Sequence, residues 1–178
     1  MQKEIVIVGL NHRSAPIDVR ESVAIEHAYL RDALTRLQKY PSIEESVILS
    51  TCNRVEVVVA ASESRDAFND INVFLAEQKA QRNPASLDEH VYSYQGADAV
   101  RHLFRVAASL DSMVVGEPQI LGQLKAHYDA AHQAGSVGTI LHRLFHRSFS
   151  VAKRVRSETG IGSGAVSVSS VEIGRAHV

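Results

Sequence analysis

The hydrophobic positions of this chain change period along its length, and each change marks an element. Ile5-Val6-Ile7-Val8-Gly9-Leu10 is a short apolar run and predicts a strand. Over residues 24–40, Ala28, Leu30, Ala33, Leu34 and Leu37 recur at helical spacing until Pro41 stops them. Residues 46–50 and 55–60 predict two strands around a polar turn. Residues 65–79, with Phe68, Ile71, Phe74 and Leu75 on one face, predict a helix, and residues 90–94 a fourth strand. The order β-α-β-β-α-β is that of a ferredoxin-like sandwich, in which two helices cover one face of a four-stranded antiparallel sheet.

From about residue 97 the pattern is helical throughout. Residues 97–110 carry Val100, Leu103, Phe104 and Ala107 as a stripe, and residues 120–134 end at Gly135. Residues 139–159 set Leu141, Leu144, Phe145, Ser148 and Val151 inward, with Arg143, Arg147, Lys153, Arg154 and Arg156 outward. The expected fold class is α+β: residues 1–96 form the sandwich, 97–160 an all-helical subdomain and 161–178 a linker. A chain of 178 residues suffices for such a core with an appended helical unit.

Charge adds an asymmetry to this picture. The net charge is −1, yet residues 1–100 carry 10 Lys/Arg against 15 Asp/Glu, a balance of −5, and residues 101–156 carry 8 against 3, a balance of +5. A polyanionic partner on one side is compatible with this, and so is a solvated basic helix face. No run of 18 apolar residues and no signal or transit peptide is evident, and one cysteine excludes an internal disulfide framework. A cytoplasmic protein with no membrane span is expected.

That cysteine, Cys52, is the candidate nucleophile. It sits in Ser50-Thr51-Cys52-Asn53-Arg54 between two predicted strands, where a thiol can be held at the edge of a cleft. A free thiol of ordinary pKa is only about 3% thiolate at neutral pH, so cationic neighbours matter. The competing reading is a small buried filler, but Asn53 and Arg54 are poor company for one. Among the histidines, His127, His132, His142 and His146 include helix-spaced pairs, but no carboxylate or cysteine completes a ligand set and no metal is expected.

Four blocks occur in order: Gly9-Leu10-Asn11-His12-Arg13-Ser14-Ala15-Pro16, Arg20-Glu21, Ser50-Thr51-Cys52-Asn53-Arg54, and the run from Leu110 through Glu117-Pro118-Gln119 to Gln123. Together they resemble glutamyl-tRNA reductase. The resemblance implies that Cys52 attacks the ester of glutamyl-tRNA(Glu) to form a thioester, which NADPH reduces to glutamate-1-semialdehyde, the first step of tetrapyrrole biosynthesis from glutamate. A thioester accepts hydride better than a serine ester, which makes sulfur the reasonable choice. It further implies His102 as an activity-linked histidine, acting as an acid or as a partner to the thiol. The implied glutamyl pocket comprises Thr51, Asn53, Arg54, Ser112, Glu117, Pro118, Gln119 and Gln123, with Arg54 clamping a carboxylate and Glu117 holding an ammonium. A homodimer and a glutamate-1-semialdehyde aminomutase partner are also implied.

Complete members of that family continue into a nucleotide-binding domain, so the NADPH site is expected to be missing here. Gly160-Ile161-Gly162-Ser163-Gly164-Ala165 mimics a dinucleotide fingerprint, but a basic helix precedes it where a strand is required, and it reads as a helix stop. Residues 173–178 leave the resemblance and read as a non-native end. The alternative function is a noncatalytic tRNA-docking or regulatory module with an incidental cysteine; a papain-type thiol hydrolase lacks its local signatures.

Overall fold

The computed structural model describes residues 3–80 and 87–162. Four strands, β1 Glu4–Asn11, β2 Glu45–Ser50, β3 Arg54–Ala61 and β4 Tyr92–Gln95, form one sheet in the order β2-β3-β1-β4, every pair antiparallel. This is the split arrangement that the predicted β-α-β-β-α-β order requires.

The helix predicted over 24–40 is a 3-10 turn His27–Tyr29 running into α2 Leu30–Leu37, and an unpredicted helix, α1 Ile17–Val23, precedes it. Pro16 stands at the N-cap of α1 and Ala24 is extended at its end. The break is fixed because the Ile25 amide donates to Ser50 Oγ at the end of β2, 2.9 Å away. Strand β4 begins at Tyr92 because the amides of His90 and Val91 both turn back onto the Leu87 carbonyl.

Pairing register assigns the sheet's faces. Ile5, Ile7, Gly9 and Asn11 of β1 lie opposite Ala60, Val58, Glu56 and Arg54 of β3 on one face, and Val6, Val8 and Leu10 pair with Val59, Val57 and Val55 on the other. Strand β3 is buried along its whole length, so both faces are covered. Helices α1, α2 and α3 (Ser64–Ala80) cover one, and α4 (Gly96–Ala107), α5 (Gln119–Gln133) and α6 (Thr139–Glu158) the other, within one continuous apolar cluster.

Two side-chain expectations are corrected. The buried face of α4 is Ala99, His102, Leu103, Val106 and Ala107, rotated from the predicted stripe, because His102 turns inward to a buried carboxylate and leaves Val100 and Phe104 half-buried. Arg156 of α6, expected outward, is half-buried because its Nη2 donates to the Gly116 and Glu117 carbonyls.

Helix α6 is capped from the sheet. Its N-cap residue Gly138 has no side chain, and the Gly138, Ile140 and Leu141 amides donate to the Glu45 carboxylate at 3.1, 3.2 and 2.8 Å. A Cβ at position 138 would stand 2.6 Å from that carboxylate. The Ser46 amide of the β2 edge donates to the Ser136 carbonyl, and Ser136 Oγ donates back to the Ser46 carbonyl, both at 2.8 Å.

Glu45→Ala removes a charged acceptor from three amides and is expected to cost about 2 kcal/mol. Urea titration of the two proteins checks this, and a difference below about 0.5 kcal/mol contradicts the capping role.

Candidate active site

The β2–β3 turn is built by Thr51. Its amide donates to the Arg54 carbonyl at 2.8 Å, and its Oγ1 accepts from the Asn53 and Arg54 amides at 3.3 and 3.2 Å. That leaves Cys52 exposed at the tip. The turn is clasped from the N-terminal side: the His12 amide donates to the Asn53 carbonyl at 2.9 Å, and Arg20 of α1 donates from Nε to the Cys52 carbonyl at 3.3 Å and from Nη1 to Ala15 at 2.9 Å. Asn11 shapes this clasp by accepting the Arg13 and Ser14 amides on Oδ1.

Beside the sulfur-bearing residue lies a recess of about 410 Å³, mouth included, lined by Thr51, Cys52, Asn53, Arg54, Ser112, Met113, Glu117, Gln119, Ile120 and Gln123. Its walls come from the β2–β3 turn, the loop between α4 and α5, and the first turns of α5. Eight of the residues singled out from the sequence therefore meet here. Pro118 is exposed at the α5 N-cap beside the recess, and His102 lies outside the lining.

Behind the recess is a buried polar network on the inner face of β3. Arg54, 1% exposed, donates from Nη1 to Glu56 Oε1 at 2.9 Å and from Nη2 to both the carbonyl and Oδ2 of Asp111. Glu56 Oε1 also accepts from Tyr92 and meets His102 Nε2 at 2.8 Å, whereas Glu56 Oε2 has no partner. His102 stacks on Tyr94 with ring centres 4.5 Å apart. Burial alone pushes the Glu56 carboxyl up, but the Arg54 charge and the His102 and Tyr92 hydrogen bonds outweigh it and hold it at about 2. Burial and the Glu56 charge push the Tyr92 phenol up, so it donates. Glu117, across the recess, is raised by burial against the pull of Arg54.

Gly9 makes room for this network. It pairs with Glu56 across the strands, and a Cβ there would meet Glu56 Cγ at 2.7 Å and the Val55 carbonyl at 2.5 Å. The loop carrying Ser112 and Glu117 is held under strain: Ser109 is a non-glycine residue at φ 61°, its Oγ donates to the Glu117 carbonyl at 2.7 Å, and its carbonyl accepts the Gly116 amide at 3.0 Å. Arg156 Nη2 ties the same loop to α6.

Sequence reasoning missed Glu56, Tyr92, Asp111 and Arg156. Glu56 had a signal, since a carboxylate two residues from Arg54 shares its strand face. Asp111 and Arg156 had none, because their partners lie 57 and about 40 positions away. His132, His142 and His146 group around Tyr128 on α5 and α6, with Tyr128 Oη 2.6 Å from His142 Nδ1. No described helix is long and apolar enough to cross a membrane.

Comparison with known proteins places these residues in context. Residues 8–159 match the family described as glutamyl-tRNAGlu reductase, N-terminal domain. A glutamyl-tRNA reductase of Solibacter usitatus is 52% identical over 174 residues, covering 97% of this chain and 41% of that protein. One from Desulfotalea psychrophila is 50% identical over 168 residues, covering 94% of this chain and 39% of that protein. The solved glutamyl-tRNA reductase from Methanopyrus kandleri superposes with a TM-score of 0.74 at 34% identity, over 97% of this chain and 39% of that one. The chain thus spans about 40% of the length of the relatives it matches.

The depressed Glu56 carboxyl sets a pH dependence. Its stabilisation is fully present above the ordinary carboxyl value of 4.5 and is lost as pH falls from there through about 2. Urea titrations from pH 7 to pH 2 are expected to show stability falling steeply below about pH 5, and Glu56→Gln to be weaker by about 3 kcal/mol at pH 7 with a flatter acid limb. Equal acid limbs contradict the assignment.

Proposed function

The chain belongs to the glutamyl-tRNA reductase family, matching its N-terminal domain, and from that membership we propose that Cys52 takes the glutamyl group from glutamyl-tRNA(Glu). The observation that carries this reading is an exposed cysteine opening onto a recess with a guanidinium on one wall and a carboxyl on the other. An aminoacyl donor with an ammonium and a side-chain carboxylate is complementary to that pair of walls.

In the proposed step the Cys52 thiolate attacks the ester carbonyl, a C–S bond forms, and the C–O bond to the ribose breaks. The ribose oxygen leaves with the electron pair and takes a proton from solvent, where the thiol had released its own, giving a glutamyl thioester and free tRNA. Arg54 uses three of a guanidinium's five N–H donors on Glu56 and Asp111, leaving two for the substrate carboxylate. Glu117 receives the ammonium, whose charge favours the ionised carboxylate that burial alone disfavours. Thr51, Asn53, Ser112, Gln119 and Gln123 supply polar contacts, and Pro118 starts the α5 turn that presents Gln119. His102 is assigned a positioning role, since it reaches the recess only through Glu56 and Arg54.

Reduction of the thioester by NADPH to glutamate-1-semialdehyde, entry into tetrapyrrole biosynthesis, a cytoplasmic setting, dimerisation and hand-over to an aminomutase are proposed for the whole protein. The described residues do not fit NADPH: α6 leads directly into the 3-10 turn Gly160–Gly162, with no strand before the glycines to form a phosphate-binding turn. Residues 163–165 of that motif, and the expected linker with its end, lie outside the described residues.

Incubation with glutamyl-tRNA followed by intact-mass and peptide analysis is expected to find one glutamyl group on Cys52, and Cys52→Ser to lower the yield at least about a hundredfold. A serine variant labelled as fast as the parent overturns the nucleophile assignment.

A further inference from the structure

The recess accounts for the glutamyl half of the proposed donor and leaves the nucleic-acid half without a seat. With the ester carbon against Cys52, the ribose and the phosphate before it must leave the recess past the turn that carries the sulfur. Three residues outside the recess lining adjoin that turn: His12, through its backbone amide, Arg20, through its side chain, and Arg13, next to His12 in the chain. His12 and Arg20 are anchored to the turn itself, through the Asn53 and Cys52 carbonyls. Arg13 adjoins His12, and its side chain is 59% exposed although Nη1 pairs with Asp111 at 3.0 Å. Arg54 is shared between Glu56 and Asp111, so Arg13 balances the second carboxylate, and it does so through Nη1 alone.

Donor capacity is left over. Nη2 of Arg13 and Nη2 of Arg20 have no partner among the described residues. His12 Nδ1 is shielded from solvent and has no hydrogen-bond partner, an uncommon state for a buried polar atom. Burial and the charges of Arg13, Arg54 and Arg20 hold the imidazole below its ordinary pKa, which places it within the field of these guanidinium groups. This cationic group sits in the acidic part of the chain, where residues 1–100 have a balance of −5, so it is a local feature and no part of a general basic surface.

We propose that Arg13 and Arg20, with His12 beside them, bind the phosphodiester of the terminal nucleotide of the aminoacylated RNA and so hold its ester over Cys52. This rests on the acyl-transfer reading above. Guanidinium forks match phosphate oxygens, and such contacts position a nucleic acid without reading its sequence. The alternative is purely structural, with Arg20 bracing the turn and Arg13 covering Asp111.

Two acyl donors separate these. Acylation of Cys52 is timed with glutamyl-tRNA and with a glutamyl α-thioester of a neutral thiol, which lacks phosphate. Arg13→Gln is expected to lose about tenfold more rate with the RNA donor than with the thioester, and to make the slope of log rate against log salt shallower by about 0.7. Arg13→Lys, which keeps the charge, is expected to recover most of that slope. Arg20→Gln is expected to show the same excess loss with the RNA donor. Equal losses with both donors, or an unchanged salt slope, overturn the phosphate seat while leaving the nucleophile assignment standing. Failure of the parent chain to be acylated by either donor overturns the acyl-transfer reading, and this inference with it.

Discussion

Arg54 and Glu56, two residues apart on β3, are both buried between the sheet and its helical layer, and neither charge can be left uncompensated there. Each recruits further partners: Arg54 takes Asp111 from the loop after α4, and Glu56 takes Tyr92 from β4 and His102 from α4. The network therefore fastens the helical layer to the sheet at the point where the cysteine turn begins. Buried ion pairs are often no more stabilising than apolar pairs of similar volume. Glu56 Oε2 is left without a partner, which is a poor arrangement for stability alone and an intelligible one for fixing the orientation of a guanidinium.

From that anchor the recess follows. Arg54 is the last residue of the cysteine turn and the first of β3, so fixing its side chain fixes the turn from behind while Thr51 fixes it from within. The opposite wall is a loop whose Ser109 is held in a left-handed conformation by bonds to the Gly116 amide and the Glu117 carbonyl, with Arg156 clamping the Gly116 and Glu117 carbonyls from α6. Strain of this kind persists only where surrounding contacts over-determine it. Here they hold Glu117 facing the buried cation, with the sulfur at the rim.

Much of this was legible in the sequence for identifiable reasons. Strand β3 reads clearly because Val55, Val57, Val58 and Val59 form an apolar run, and the antiparallel order follows from the alternation of elements. Helix α1 was hidden because Ile17–Val23 is too short for a periodic signal and Pro16 reads equally well as a loop. The α4 stripe was misplaced by one position because hydrophobicity ranks Phe104 above His102, whereas a buried carboxylate on another element reverses that order. Cys52 stood out from its polar turn between two strands, whereas Glu117 and Gln123 were found through motif resemblance; local chemistry alone does not bring residues 65 or more positions apart into one recess.

Arg54 and Glu56 act as one unit in shaping the recess beside Cys52. A double-mutant cycle with Arg54→Lys and Glu56→Gln, read on the rate of Cys52 acylation by glutamyl-tRNA, tests it most directly. The double variant is expected to be scarcely slower than the worse single one, a coupling of about 1.5 kcal/mol or more. Losses that simply add, with coupling below about 0.5 kcal/mol, contradict it.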